Sequence, residues 1–330
     1  MLRIVPLALL SCICSISAIW AADFKPTSQA TFVPADSKLE LLWAEGEFTE
    51  GPALAPDGSI VFSDIGNTIH RFDPQTGRVT VFREKSGRSN GLKFNARGEL
   101  IACEGANRDG GRRISITTAS GDVKTLSPGL NGKKFNSPND LAIAPNGDVY
   151  FTDPRYVGDE PRELDFEGVF LIKPDGTTTI ATRDVTKPNG IIITADGQTA
   201  FVANNDPQGT KTLLAFTVQK DGSLADKKVL FDFGDGRGID GMTIDQEGNI
   251  YATAGTGDKA GIYVFTPAGK HLAFIAIPGD PTNCVFGGGD QARVLYITAA
   301  TPKKPGEATK YGLYRIKLTK PGYHVVKLKP

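Results

Sequence analysis

The chain is organised as a series of short stretches in which apolar and polar side chains alternate. The alternation has a period of two, and residues such as Pro, Gly and Asp bound each stretch. A period of two is typical of β-strands, and the sequence after the N-terminus shows no long helical period. The predicted strands are 39–43, 59–64, 68–72, 78–82, 99–103, 114–117, 148–152, 168–172, 199–203, 213–217, 249–252, 261–265, 294–297 and 312–316.

A turn motif recurs through this series, with a polar residue eight positions before a glycine. The pairs are Glu50 and Gly58, Asn90 and Gly98, Asn139 and Gly147, Asn189 and Gly197, and Asp240 and Gly248, with Asn283 at the same place in a degenerate sixth copy. The polar residues are 40 to 51 residues apart. With about four strands per repeat, this period is typical of a β-propeller blade. The sequence therefore predicts an all-β, six-bladed β-propeller.

The repeats follow one another without a linker, so we expect one propeller domain over residues 39–330. The early strand 39–43 is expected to pair with the C-terminal strands and to close the ring in the last blade. Residues 23–38 are polar and are expected to form an irregular lead-in. A stacked solenoid is the structural alternative, but its repeats are shorter or more helical than these.

The six aligned polar residues are expected to meet at one mouth of the central channel. Each of them precedes a turn and then an apolar strand, which we expect to be the innermost strand of its blade. For any one residue, turn formation is a sufficient explanation, because Asn and Asp hydrogen-bond their own backbone. Turn formation does not explain Glu50 in the first repeat, nor a polar residue at this place in every repeat.

Converging side chains of this kind offer hard oxygen ligands to a metal ion at the channel mouth. The carboxylates of Glu50 and Asp240, together with several amide oxygens, suit Ca²⁺, with Mg²⁺, Mn²⁺ or Zn²⁺ as alternatives. Further polar residues, among them Glu104 and Asp153, stand six residues after the turn glycines. We expect these two to contact substrate from further down the channel or to orient the ligands, and a solvent-facing strand end is the alternative.

Residues 154–167 form an insertion in the third repeat, directly after the strand that ends near Asp153. A charged loop at this place is either a lid over the channel mouth or a solvated connection.

The N-terminus predicts export. Met1-Leu2-Arg3 is followed by an apolar run from Ile4 to Trp20 and then by two alanines, which is the order of a secretory signal peptide over residues 1–22. We expect a periplasmic or secreted protein with no membrane segment after cleavage. A retained membrane anchor and a lipoprotein processed at Cys12 are the weaker alternatives.

The composition limits the kinds of partner that we expect this chain to bind. The chain has 37 basic and 37 acidic residues, and this balance argues against a nucleic-acid partner. Cys103 and Cys284 fall in well-separated repeats, so we expect buried free thiols. We expect a monomer or a weak oligomer.

Six short motifs stand in chain order at propeller spacing. They are Thr49-Glu50-Gly51-Pro52, Ser89-Asn90-Gly91-Leu92, Asn136-Ser137-Pro138-Asn139-Asp140-Leu141, Tyr150-Phe151-Thr152-Asp153-Pro154, Lys187-Pro188-Asn189-Gly190 and Gly238-Ile239-Asp240-Gly241-Met242. Together they resemble the gluconolactonase/regucalcin (senescence marker protein) family, from about Glu40 to near the C-terminus. Cys103-Glu104-Gly105 and Arg162-Glu163-Leu164-Asp165-Phe166 look most like its bacterial exported gluconolactonase-like branch.

This resemblance implies a six-bladed propeller with a divalent metal, often calcium, at the mouth of the channel. The implied metal ligands are Glu50, Asn139, Asn189 and Asp240, and Asp240 is also the implied catalytic acid or base. The implied substrate contacts are Asn90, Asn139 and Asn283. An Asp-Gly-Gly stretch before Arg112 departs from the family pattern and leaves any role of the two arginines that follow it open.

The implied reaction is hydrolysis of a sugar lactone, such as gluconolactone, to an aldonic acid. The ion would polarise the lactone carbonyl while water attacks with a carboxylate as base. One alternative is a non-catalytic propeller with a structural metal that binds carbohydrate or protein. Another is the same fold acting on other esters or phosphotriesters.

Overall fold

The alternating stretches form strands, and the glycines between them form tight turns. The computed structural model describes residues 26–107, 109–303 and 306–324, so the predicted signal peptide lies outside the described residues. The backbone is left-handed at the glycines that end the repeated motifs, with φ of 85° at Gly58 and 82° at Gly248. Glycine adopts this conformation without the clash of a Cβ. The regular spacing of glycine therefore marks one hairpin in each repeat.

The described residues contain one short α-helix, two 3₁₀ turns and twenty-four strands. The helix is α1 (Gln29–Phe32), and the 3₁₀ turns are Gly257–Lys259 and Gly289–Gln291. The strands are β1 (Glu40–Gly46), β2 (Thr49–Leu54), β3 (Ile60–Asp64), β4 (Thr68–Asp73), β5 (Arg78–Glu84), β6 (Ser89–Phe94), β7 (Leu100–Glu104), β8 (Arg113–Thr117), β9 (Val123–Ser127), β10 (Leu141–Ile143), β11 (Val149–Thr152), β12 (Val169–Ile172), β13 (Thr178–Thr182), β14 (Pro188–Ile193), β15 (Thr199–Asn205), β16 (Lys211–Val218), β17 (Leu224–Asp232), β18 (Met242–Ile244), β19 (Ile250–Ala254), β20 (Gly261–Phe265), β21 (His271–Ala276), β22 (Pro281–Phe286), β23 (Val294–Ala300) and β24 (Tyr311–Lys317).

These strands form six four-stranded antiparallel sheets, which confirms the prediction of a six-bladed β-propeller. Blades 1 to 5 are β2–β5, β6–β9, β10–β13, β14–β17 and β18–β21 in order. Blade 6 is β22-β23-β24-β1, and β1 pairs with β24 so that Glu40 lies opposite Arg315. The predicted closure of the ring by the early strand is therefore confirmed.

The innermost strand of each blade is the one that carries the aligned polar residue or begins two residues after it. Around the ring β2, β6, β10, β14, β18 and β22 contact one another. The expectation that the apolar strand after the turn is innermost was wrong, because that strand is the second of its blade. Stretches such as Ser89-Asn90-Gly91 have low intrinsic strand propensity, and contacts with the neighbouring blades hold them in the extended conformation.

Apolar cores lie between neighbouring blades, so most strands are covered on both faces. Tyr251 of blade 5 and Phe286 of blade 6 are each fully buried and meet edge to face with ring centroids 5.0 Å apart. The same core contains Cys284. Cys103 and Cys284 are both buried free thiols, as predicted.

The lead-in is better ordered than the sequence predicted. Phe32 at the end of α1 is buried among side chains of blades 5 and 6 and meets the Tyr251 ring edge to face at 6.3 Å. The Ser28 amide donates to Leu272 O over 2.8 Å, and Gln29 Nε2 donates to Phe274 O over 2.7 Å. Phe32 and the adjacent Val33 do not recur at a helical or strand period in this polar stretch, which is why the sequence indicated an irregular segment.

The channel end opposite the polar ring is apolar and is covered by the segment that contains Tyr323 and His324. Tyr323 and His324 line a small cavity of about 90 Å³ there, together with inner-strand side chains such as Ile192 and Met242. The Tyr323 amide donates to Ile244 O over 3.0 Å, which fixes the cover on blade 5. No helix among the described residues is long and apolar enough to span a membrane.

Candidate active site

Register irregularities place the aligned polar residues at one end of the inner strands. In β2 the ladder shifts between Glu50 and Ala53, and in β14 it shifts between Pro188 and Ile191. Equivalent shifts lie at Ser89–Leu92 in β6 and at Pro281–Asn283 in β22. In blades 3 and 5 the inner strand begins only after the polar residue. Such irregularities re-aim side chains at sheet ends and next to active sites.

The main chain of each of four polar residues is held by the preceding blade. Gly91 N–H donates to Asn139 O and Gly190 N–H donates to Asp240 O, each over 2.7 Å. The carbonyl oxygens of the other two residues accept from hydroxyl groups, Asn90 from Ser63 over 2.8 Å and Asn189 from Thr152 over 2.7 Å. These bonds fix the backbone beneath the site, so the side chains start from rigid positions.

A cavity of about 430 Å³ opens at this mouth of the channel. It is lined by Phe48, Glu50, Ile65, Arg88, Asn90, Gly105, Ala106, Ser137, Pro138, Asn139, Tyr156, Val157, Asn189, Asn205, Arg237 and Asp240. The structure therefore brings together Glu50, Asn90, Asn139, Asn189 and Asp240 in one cavity, whereas the sixth aligned residue, Asn283, is absent from its lining.

Two buried carboxyl groups dominate the electrostatics of this cavity. Glu50 is 3% exposed and Asp240 is 8% exposed. Burial, and after it the negative charge of Asp240, raises the pKa of Glu50 well above its ordinary value. Burial also raises the pKa of Asp240, although Arg237 and a hydrogen bond from Asn189 act in the opposite direction. The cavity therefore holds negative charge that a bound cation would stabilise.

The side-chain amides supply the remaining oxygen ligands for such a cation. Asn90 Oδ1 is buried and has no hydrogen-bond partner among the described residues. Asn189 Nδ2 donates to Tyr156 Oη over 3.3 Å. Carboxylate and amide oxygens without sulfur or imidazole are the ligands that Ca²⁺ prefers. The donor set thus fits a divalent cation, although the described residues contain no cluster of three or more His, Cys, Asp or Glu side chains arranged to hold a metal.

Comparison with known proteins decides the family. The model of the SMP-30/gluconolactonase/LRE-like region matches residues 48–301. The chain belongs to this family. Its assignment as a gluconolactonase-like enzyme is thereby confirmed, while its place in the exported branch stays a prediction.

Individual relatives agree with this assignment over most of the chain. A gluconolactonase of Zymomonas mobilis is 28% identical over 84% of this chain and 83% of its own. A pentonolactonase of Haloferax volcanii is 25% identical over 78% of this chain and 84% of its own. The solved structure of a Xanthomonas campestris gluconolactonase superposes with a TM-score of 0.76 at 29% identity, covering 90% of this chain and 96% of that one.

Three residues that we expected to contact substrate lie outside the cavity lining of this gluconolactonase-like enzyme. Asp153 is fully buried, and its carboxylate accepts the amides of Asn136 and Ser137 over 2.8 and 2.7 Å. The equivalent Asp64 accepts the amide of Phe48 in the same way over 2.9 Å. These side chains bind the loops that lead into the cavity, so we assign Asp153 a supporting role rather than a substrate contact.

The predicted substrate contacts of Glu104 and Asn283 are corrected for similar reasons. Glu104 is 1% exposed and receives Arg83 Nη2 and Arg113 Nε, each over 2.7 Å, so its charge is already paired. Asn283 is 4% exposed, and its Oδ1 accepts the Cys284 amide over 2.8 Å. Both side chains stabilise the walls of the site instead of facing a ligand in it.

Sequence reasoning missed several residues of the cavity. Tyr156 and Val157 come from the insertion 154–167, so the start of the insertion forms part of the cavity wall, while much of the rest is exposed to solvent. Tyr156 Oη donates to Asn205 O over 3.0 Å, which links the insertion of blade 3 to blade 4. Arg88 and Arg237 were also missed, although each stands two or three residues before an aligned polar residue. That proximity to Asn90 and Asp240 was the available signal.

Proposed function

We propose that this chain hydrolyses sugar lactones, such as gluconolactone, to aldonic acids with the help of a divalent cation. Ca²⁺ is the first candidate for this cation. The carrying observation is the pair of buried carboxyl groups, Glu50 and Asp240, in one cavity. The volume of this cavity, about 430 Å³, falls in the range of small-molecule sites. The names of the relatives, a gluconolactonase and a pentonolactonase, support this substrate class.

The proposed cation site combines Glu50 and Asp240 with the amides of Asn139 and Asn189. Asn90 is the proposed substrate contact, and its unpartnered Oδ1 is available for a substrate hydroxyl or for the ion. A cation held there supplies Lewis acidity toward the lactone carbonyl. Mg²⁺, Mn²⁺ and Zn²⁺ are the alternatives that metal replacement would distinguish.

Asp240 is the proposed base. Arg237 Nη2 binds Asp240 Oδ2 over 2.5 Å, which fixes the orientation of the carboxylate. The carboxylate takes a proton from the attacking water as the new carbon–oxygen bond forms at the carbonyl. The ring carbon–oxygen bond then breaks, and the proton passes to the departing oxygen as the new hydroxyl group. Burial raises the pKa of Asp240, and a raised pKa makes a carboxylate a stronger base near neutral pH.

A lactone panel, measured with and without a chelator, tests this proposal. We expect chelator-sensitive opening of sugar lactones, and we expect Asp240→Asn to lower kcat by roughly 100-fold or more and to weaken calcium binding in calorimetry. Asp235→Asn is the matched control, because Asp235 is exposed in the same loop. Full activity of Asp240→Asn would exclude this assignment. Calcium-dependent thermal stabilisation without any hydrolysis would favour a non-catalytic binding protein.

We also propose that the chain is exported after cleavage of residues 1–22, on the evidence of the basic, apolar and small-residue order of its N-terminus. N-terminal sequencing of the protein from a cell fraction tests this. A mature chain that begins near Asp23 supports export, and an intact Met1 in the cytoplasmic fraction contradicts it.

A further inference from the structure

We propose that the carboxamide of Asn205 binds a substrate hydroxyl on the ring carbon next to the lactone carbonyl, so that the enzyme selects lactones that carry this hydroxyl. This inference rests on the proposed lactone hydrolysis and deepens it. It assigns to Asn205 the choice between hydroxylated and unsubstituted lactones, while Glu50 and Asp240 serve the reacting bond.

A supporting contact that recurs in the blades separates Asn205 from its neighbour Asn204. In blade 3 the Asp153 carboxylate accepts the Ser137 amide over 2.7 Å. In blade 4 the same contact belongs to Asn204, whose Oδ1 accepts the Lys187 amide over 3.0 Å. Each of these amides stands two residues before the aligned polar residue of its blade. Asn204 is therefore the supporting residue of blade 4, and Asn205 is left for another role.

The side chain of Asn205 leaves β15 on the other face of the strand. Successive side chains of a strand point to opposite faces. Asn204 is buried and faces the loop before β14, whereas Asn205 is half-buried and lines the cavity. Ile65 and Gly105 follow the equivalent residues of blades 1 and 2, and both also line the cavity. Of these three lining residues, only Asn205 has a side chain that can form hydrogen bonds.

The main chain of Asn205 is fixed, while its carboxamide is available. The Asn205 amide donates to Lys187 O over 2.9 Å, and its main-chain carbonyl oxygen accepts from Tyr156 Oη over 3.0 Å. Within the part of the chain that the structure describes, neither Oδ1 nor Nδ2 of Asn205 has a hydrogen-bond partner. A carboxamide can both accept from and donate to a hydroxyl group. A free carboxamide on a rigid strand end is thus suited to recognise one.

Asn205 lies beside the reacting end of the cavity. The Tyr156 hydroxyl that donates to Asn205 O also accepts from Asn189 Nδ2 over 3.3 Å, so one oxygen joins Asn205 to a proposed cation ligand. On the other side, a Cβ at Gly238 would come within 2.9 Å of Asn205 Oδ1, and Gly238 stands two residues before Asp240. Because Asn189 and Asp240 serve the carbonyl, the hydroxyl within reach of Asn205 is the one on the adjacent ring carbon.

The test compares glucono-δ-lactone with its 2-deoxy analogue on the wild-type enzyme and on Asn205→Ala. The ratio of the two kcat/KM values should fall by roughly three- to tenfold in the variant, the value of about one hydrogen bond. The 2-deoxy analogue should be opened almost equally well by both enzymes, because it makes no contact that the variant loses. Comparing the two enzymes cancels the intrinsic difference in reactivity between the lactones.

Gln208→Ala is the matched control, because Gln208 carries an exposed carboxamide in the turn after β15. It should leave the ratio of the two kcat/KM values unchanged. An unchanged ratio in Asn205→Ala, whether both lactones lose equally or neither loses, would overturn the proposal. The 6-deoxy analogue is the control on the substrate side. A loss of discrimination in Asn205→Ala that is confined to the 6-deoxy analogue would overturn the assignment to the hydroxyl beside the carbonyl.

A binding measurement separates this inference from the proposed hydrolysis. Calorimetry with gluconate and with 2-deoxygluconate, the ring-opened acids, needs no turnover. If no lactone is hydrolysed, the lactonase proposal fails, yet tighter binding of gluconate that is lost in Asn205→Ala still supports the hydroxyl contact. Equal effects of Asn205→Ala on the binding of the two acids contradict the contact whether or not lactones are opened.

Discussion

Arg237 Nη2 donates to Asp240 Oδ2 over 2.5 Å, three residues further along the chain. Arg237 Nη1 also donates to Pro281 O of the next blade over 2.8 Å. One guanidinium group therefore orients the proposed base and ties blade 5 to blade 6. The orientation of Asp240 is a property of two blades rather than of its own strand.

Replacing Arg237 tests this arrangement. Arg237→Gln removes the charge that pairs with Asp240, so we expect kcat for lactone hydrolysis to fall by about tenfold or more while the fold persists. Arg293→Gln, at an exposed turn of blade 6, is the control. Steady-state kinetics with calcium calorimetry measures both effects. Wild-type kcat and calcium affinity in Arg237→Gln would show that Asp240 does not depend on this contact.

Tyr156→Phe tests whether the insertion positions a metal ligand. The hydroxyl donates to Asn205 O and accepts from Asn189 Nδ2. Its removal leaves the Asn189 amide without this anchor, so we expect calcium affinity to fall by roughly two- to tenfold, the value of one ordinary hydrogen bond. Calorimetry measures the affinity, and Tyr323→Phe at the opposite channel end is the control. An unchanged affinity would mean that Tyr156 only encloses the cavity.

The raised pKa of Asp153 should make the stability of the fold depend on pH. Burial raises the pKa of this carboxyl to about 7, above the value near 3.9 of an unfolded chain. Because the folded pKa is the higher one, its contribution to stability is fully present below about pH 4 and is lost as the pH rises through about 7. A shift of this size corresponds to a loss of the order of 4 kcal/mol.

Urea unfolding of the wild type and of Asp153→Asn, each with chelator at pH 5 and pH 8, measures this effect. The substitution leaves one acceptor for two amide donors, so the variant should be less stable than the wild type at pH 5. The difference should shrink at pH 8, because ionisation of Asp153 destabilises the wild type there and cannot affect the variant. A difference that is the same at both pH values would show that Asp153 does not titrate in this window.

Phe32→Ala tests the anchoring of the lead-in. Phe32 is 4% exposed in the core of blades 5 and 6, so the truncation should lower the free energy of unfolding by about 3–5 kcal/mol. Thermal and urea unfolding measure the loss. Val229→Ala is the control, because Val229 is 60% exposed and its truncation should change little. A loss below about 0.5 kcal/mol in Phe32→Ala would show that the lead-in packs only loosely.

The agreement between sequence and structure differs from one part of a blade to another. The second and third strands, such as 59–64 and 261–265, were predicted because they are apolar and bounded by turns. Most outer strands, such as Val123–Ser127, were missed because one face meets solvent and carries mixed side chains, whereas the outer strands at 39–43 and 78–82 were predicted. The inner strands were missed because Asn, Gly and Pro give them no strand signal, although their neighbours hold them extended.

Some residues of the candidate site could also be predicted from the sequence, and others could not. The recurrence of Glu50, Asn90, Asn139, Asn189 and Asp240 at equal distances from a turn glycine was enough to place them at one channel mouth. Spacing could not tell that Asn283 Oδ1 accepts the Cys284 amide, because the degenerate sixth copy fixes the place of this residue in the chain and not the direction of its side chain.

The sequence by itself determined the repeat, the number of blades and the end of the channel where polar side chains gather, because these follow from local alternation and from glycines that adopt a left-handed turn. Only the tertiary structure decided which carboxylates face a ligand. Glu104 is paired by Arg83 and Arg113, whereas Asp240 is paired by Arg237 at the wall of the cavity. Those outcomes depend on packing between strands and loops that are separate in the chain, and no local pattern records how such charges pair.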